Sequence, residues 1–249
     1  MIKIYAPTYN RSQKLLGKDY FKNSIYILPE SQRDQYFKVL PEKRMIVIPD
    51  ENDGNLCRKQ NWMLKNLDRP YLKIDDDVSA LAHTEKGKRK RVKQHIYLTP
   101  RQAETVIING FNLASEWGCV YWGINVNTDG RNYQQYKPFS LTQPCLGPFN
   151  GHLAHDLYYD ERMSGKDDYD FSLQILHKYK KILRMNKYCY VCKHATNVGG
   201  WVSKRSKERE IEDCKAIMKK WGSKIIKYEI PPRSKNDLLN TTNCILTLL

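Results

Sequence analysis

The chain has 249 residues, 41% of them hydrophobic, with 17 Tyr and 5 Trp, enough for a sizeable core in one α/β domain. No stretch reaches the roughly 18 apolar residues of a membrane span. Met1 runs directly into "IKIYAP" instead of a leader pattern, so a cytosolic protein is expected. Lys and Arg outnumber Asp and Glu by 42 to 27, a net charge of +15, which points to a polyanionic partner, nucleic acid first.

In chain order, short apolar runs first alternate with helical patterns, which predicts βαβ units and a mainly parallel sheet. Strands are expected at 2–6, 24–28, 44–49 and 70–74, with helices at 31–40 and 55–67. The basic run "EKGKRKRVKQH" (85–95) reads either as a solvated loop or as a contact for a phosphate backbone. The stretch 99–118 is the clearest helix: Thr99 fits the N-cap, Pro100 the first turn, Gln102 the capping-box partner and Gly118 the stop. A strand at 119–125, a polar hairpin or loop at 126–138 and extended segments joined by a tight turn at 139–154 follow. Then come a helix at 167–181, a strand at 182–194, a helix at 207–222 and a closing strand at 224–230. The tail 231–249 ends apolar and is expected to pack back or to serve a contact.

The cysteines are Cys57, Cys119, Cys145, Cys189, Cys192, Cys214 and Cys244. Their odd count and wide spacing argue against a disulfide framework, and "CYVC" without a second pair favours two ordinary strand cysteines over a zinc site.

The run Tyr71-Leu72-Lys73-Ile74 stops abruptly at Asp75, Asp76 and Asp77. Three adjacent acids repel one another. At the C-terminal end of a parallel strand, where open α/β sheets bind ligands, they suit Mg²⁺ or Mn²⁺, which take a few carboxylates and complete their shell with phosphate and water. A solvated turn or a helix N-cap is the competing reading.

The order "YAPTYNR", "GNLCRKQN", "YLKIDDDV", "GPFNG", "GKDDYD" and a late His resembles glycosyltransferases of the GT-A fold. The resemblance implies a Rossmann-like, mainly parallel central sheet flanked by helices in one domain over 1–249. Residues 1–80 would be the nucleotide-binding half, 81–98 a basic insertion, 99–230 the acceptor half and 231–249 a tail. It further implies that Pro7, Thr8, Tyr9 and Arg11 contact the base and ribose of a nucleotide-sugar. Asp50 would read uracil or ribose, and Arg58 and Asn61 would lie beside the donor, although the family's adjacent Arg-Asn is broken here. Asp75 would lie near ribose and metal with Asp76 beside it. Asp77 would be the direct ligand of Mn²⁺ or Mg²⁺ and His194 the third. Asp168, with Asp167 as the alternative, would be the base that takes the acceptor's proton, which leans toward inversion.

A basic transferase of this size is similar to the phage enzymes that add sugar to hydroxymethylated pyrimidines in DNA, in particular to the family associated with pyrimidine-oxidising dioxygenases. That likeness implies a UDP-glucose-type donor and an acceptor region containing Gly147, Asn150 and Gly151. Trp201, Lys88, Arg89, Lys90, Arg91, Lys204 and Arg205 would grip DNA, with Trp122, Tyr133, Tyr136 and Phe149 either stacking on bases or packing in the core. Three other readings stay open from sequence: a protein or glycan acceptor, a metal-dependent nucleotidyltransferase, and a basic nucleic-acid-binding module without chemistry.

Overall fold

The computed structural model describes residues 2–83, 96–126, 134–163, 165–192, 207–229 and 243–246. Strands β1 (Lys3–Pro7), β2 (Ser24–Pro29), β3 (Met45–Ile48) and β4 (Tyr71–Ile74) run parallel in the order β3-β2-β1-β4. Helix α1 (Arg33–Phe37) lies between β2 and β3, and α2 (Leu56–Asn66) between β3 and β4. The expected helix over 31–40 therefore shrinks to a short 3₁₀ turn and five helical residues, neither of which has a side-chain N-cap. Helix α2 starts cleanly because the Asn55 side chain accepts the Cys57 N–H.

Beyond β4 the sheet becomes mixed. Strand β5 (Val78–His83) leaves directly from the acid cluster, and β6 (Ile96–Tyr97) pairs with it antiparallel. Neither strand was expected, and the described ends of the basic insertion are held together by this pairing. Helix α3 (Pro100–Glu116) carries the full Thr99–Gln102 capping box. Strands β7 (Tyr121–Asn125), β8 (Phe139–Ser140), β9 (Phe149–His152) and β10 (Leu183–Cys192) complete a ten-stranded sheet with the path β3-β2-β1-β4-β9-β7-β10-β5-β6 and β8 on β10. Helix α4 (Asp167–Tyr179) precedes β10, α5 (Lys207–Trp221) follows it, and β11 (Ile226–Glu229) pairs with β12 (Asn243–Leu246) from the tail.

Strand alternation splits the core between two faces. Ala6, Leu28 and Leu72 face Val106, Ile107 and Phe111 of α3. Tyr5, Ile27 and Tyr71 face Met63 of α2 and Phe171 and Ile175 of α4. Trp122 and Phe149 are fully buried, so they pack in the core and offer nothing to a DNA base, whereas Tyr136 is 75% exposed. Cys189 and Cys192 both lie in β10. No helix among the described residues is long and apolar enough to cross a membrane.

Candidate active site

The loops that follow β1 and β4 and the turn that precedes β9 meet at the C-terminal edge of the parallel strands, where Phe149 at the start of β9 lies opposite Ile74 at the end of β4. The three acids after β4 have different surroundings. Asp76 is buried: its Oδ2 accepts the Thr8 hydroxyl at 2.6 Å and its Oδ1 accepts from the Arg11 guanidinium at 2.6 Å. Burial pushes its carboxyl up, opposed by Arg11 and by the Thr8 hydrogen bond. The Tyr36 hydroxyl lies 2.7 Å from Thr8 Oγ1 and accepts the Arg11 backbone N–H at 3.1 Å. Asp76 therefore locks the loop after β1 onto the acid turn.

Asp75 donates its backbone N–H to the Pro148 carbonyl, and its Oδ1 forms an ion pair with Lys73 Nζ at 2.7 Å. Asp77 meets the Arg11 guanidinium only at 3.4 Å, and burial, then the charges of Asp75 and Asp76, push its carboxyl up to about 7.

Two further acids come from the first turn of α4, where carboxylates suit the helix dipole. Asp168 Oδ2 accepts the Gly147 N–H at 2.8 Å and its Oδ1 accepts the Tyr169 N–H at 2.8 Å. Asp167 Oδ2 accepts from the Gln60 amide at 3.0 Å, and burial, then Asp168, raise its carboxyl to about 7. The Gly147–Pro148 turn is thus a bridge: one end holds Asp168 and the other holds Asp75. Gly147 has φ +78°, and a Cβ there would run into the Tyr190 hydroxyl, so glycine is required.

Of the other expected contacts, Pro7 ends β1, and Tyr9 is 41% exposed with its ring 5.9 Å from Lys59 Nζ. Lys59, from α2, is buried; it donates to the Thr8 carbonyl at 2.7 Å and pairs with Asp53 at 3.0 Å. Asp50 accepts from Ser31, while Arg58 pairs with Glu161 and donates to the Glu51 carbonyl. Asn61 is buried and exchanges hydrogen bonds with the Tyr159 backbone, which clips the segment after β9 to α2. Asn150 and Gly151 lie within β9 inside the sheet. A Cβ at Gly151 would overlap the Trp122 indole, so this glycine admits a core side chain and presents no surface to an acceptor. Tyr133, His194, Trp201, Lys88, Arg89, Lys90, Arg91, Lys204 and Arg205 lie outside the described residues. The last residue of β10, Cys192, pairs with Val78, the neighbour of Asp77.

Sequence reasoning missed Lys73, Lys59 and Gln60, all buried and all in contact with the site. One signal was available for Lys73, a lysine inside the otherwise apolar strand "YLKI".

Among the described residues no group of three or more His, Cys, Asp or Glu side chains is arranged to hold a metal. The chemistry of the donor set nonetheless fits a hard divalent ion. Asp75, Asp76, Asp77, Asp167 and Asp168 crowd together, Arg11 and Lys73 oppose them, and Asp75 and Asp77 are the acids of the turn that, unlike Asp76, stay partly exposed.

Parallel strands in the order β3-β2-β1-β4, acids at the end of β4 and an antiparallel β9 inserted beside them make up the Rossmann-like GT-A arrangement of nucleotide-sugar-dependent glycosyltransferases. The family model for TET-associated glycosyltransferases matches residues 2–200, and the chain belongs to that family. No curated protein and no solved structure matches it. Membership makes the chain a glycosyltransferase and points to a nucleotide-sugar donor and to modified DNA bases as acceptors.

Proposed function

We propose that the chain transfers a hexose from a uridine diphosphate sugar, glucose by default, to the hydroxymethyl group of a modified pyrimidine in DNA. The observation that carries the reading is the Gly147–Pro148 bridge, which sets Asp168 in one site with the acids after β4. Asp168 takes the proton of the acceptor hydroxyl as its oxygen attacks the anomeric carbon and the nucleoside diphosphate leaves, which inverts that carbon. Its carboxylate is oriented by the N–H groups of Gly147 and Tyr169, and each oxygen keeps a lone pair for the incoming proton. Asp75 and Asp77, with His194, would hold Mn²⁺ or Mg²⁺, and that ion would stabilise the negative charge on the departing diphosphate. Tyr9, exposed beside the acid turn, offers a face to the base of the donor. The basic segment with Lys88, Arg89, Lys90 and Arg91, together with Trp201, Lys204 and Arg205, is assigned to the DNA, whose target base must leave the stack to reach Asp168.

The test incubates purified protein with Mn²⁺, a panel of nucleotide-sugars and DNA containing hydroxymethylcytosine or hydroxymethyluracil, and weighs the digested nucleosides. A nucleoside heavier by one hexose is expected. Asp168→Asn should lower the transfer rate roughly a hundredfold, within the usual range for a general base, with donor affinity nearly unchanged. Release of pyrophosphate from a nucleoside triphosphate, or sugar transfer only to protein or glycan, would reject the reading.

A further inference from the structure

Lys73 sits where its strand neighbours are apolar. Leu72 and Ile74 are fully buried in β4, and Lys73 is itself only 4% exposed. It shares a face with Tyr71 and lies directly across the sheet from Asn150. This is the face that carries α4, since Tyr71 packs in one cluster with Phe171 and Ile175. Asn150 Nδ2 is buried among the same residues with no hydrogen-bond partner, so the sheet beneath the site holds two polar side chains where packing alone calls for none. The contact between Lys73 and Asp75 is an ion pair through one carboxylate oxygen, made without hydrogen-bond geometry. Asp75 Oδ1 is buried and lies 2.7 Å from the ammonium, while a third of the Asp75 side chain remains exposed. One carboxylate oxygen therefore faces the interior cation, and the other is left for the cleft.

We propose that Lys73 is a positioning residue that makes Asp75 a one-oxygen group, fixing its carboxylate from inside the sheet so that a divalent ion or a ribose hydroxyl meets a single oxygen in a set orientation. The inference rests on the reading that Asp75 and Asp77 hold a cation. A bare carboxylate at a strand end is free to rotate and to chelate with both oxygens, which binds a cation more tightly but in another geometry. An ammonium held against Oδ1 opposes that mode and repels the ion. Lys73 thus trades cation affinity for geometry. The same charge also reaches Asp167 and Asp168, so it lies between the two acidic motifs.

The experiment measures Mn²⁺ binding by calorimetry on the full chain without donor, and turnover separately, in the wild type, Lys73→Gln and Lys73→Arg. Lys73→Gln should bind Mn²⁺ about tenfold more tightly and turn over at least about a hundredfold more slowly, an opposed pair of changes that a merely structural role would not give. Lys73→Arg, which keeps the charge, should stay within about threefold of the wild-type Mn²⁺ affinity, and it carries the test if Lys73→Gln does not fold. Unchanged or weaker Mn²⁺ binding in Lys73→Gln, or a tenfold change in Lys73→Arg, would overturn the inference. A wild type that binds no Mn²⁺ would reject the metal reading itself, and the two failures are told apart by that control.

Discussion

Asp77 is caught between burial and the negative charges of Asp75 and Asp76, with the more distant Arg11 and a backbone hydrogen bond to offset them. Its folded-state value of about 7 lies above that of an ordinary carboxyl. Folding therefore retains a proton that the unfolded chain has released, and the associated stability is complete below pH ~4 and is lost as pH climbs toward 7. His152 and His155 act in the opposite sense over part of this range, because burial lowers both and each must charge in acid. They cancel when a variant is compared with the wild type at each pH. In metal-free protein, Asp77→Asn should differ least from the wild type near pH ~4 and exceed it by roughly 1–3 kcal/mol at pH 8, while losing turnover. Urea midpoints in EDTA at the two pH values check this, and a difference that does not grow with pH would count against the crowded site. The residue types at this site were legible in "IDDDV" and "APTYNR", but their division of labour was not. Thr8 and Arg11 were expected on the donor, and the structure spends both side chains on Asp76. That pairing crosses more than sixty residues of sequence and leaves no local pattern.

Helix α4 shows what an element adds to its residues. The motif "DDYD" reads as helix-start acids, and Asp167 and Asp168 do lie at the site. Asp170 instead turns away and is buried, where it accepts from the Trp221 indole N–H at 2.8 Å, the Gln174 amide at 2.8 Å and Lys220 Nζ. Together with Met163, Leu173, Cys214, Ile217 and Ile226 it fastens the end of α5 to α4. Replacing it with alanine leaves the Trp221 indole N–H without its acceptor, while Lys220 keeps its pair with Asp160, at a cost of roughly 1–3 kcal/mol. Limited proteolysis should then cut within α5 well before the main sheet unfolds. Cleavage at the wild-type rate would show that the apolar contacts hold α5 alone. Elements were easiest to read where period and punctuation agreed, as in α3, whose capping box formed as expected. Strand β5 escaped notice because "VSALAH" is short, rich in small residues and joined to the acids without a turn signal. The tail strand β12 escaped because its partner β11 precedes it by more than a dozen residues.

At the scale of the whole molecule, two fields of opposite sign coexist. The net charge of +15 draws polyanions from any direction, while the site concentrates carboxylates opposed by Arg11 and Lys73. The surface term should dominate the encounter with DNA, because released counterions reward each phosphate contact irrespective of sequence. The site acts at short range on a small donor, where salt screens buried charges far less. The two steps should therefore separate on a salt titration. Affinity for unmodified DNA, followed by anisotropy, should fall at least roughly a hundredfold between 50 and 200 mM salt if about five phosphates are contacted. Slow hydrolysis of the nucleotide-sugar without DNA should change by less than about threefold over the same range. Equal sensitivity of the two would mean that phosphate attraction and the acidic site are one surface. DNA affinity indifferent to salt would leave the charge excess without a nucleic-acid role and return the acceptor to the protein and glycan alternatives that the sequence also allows.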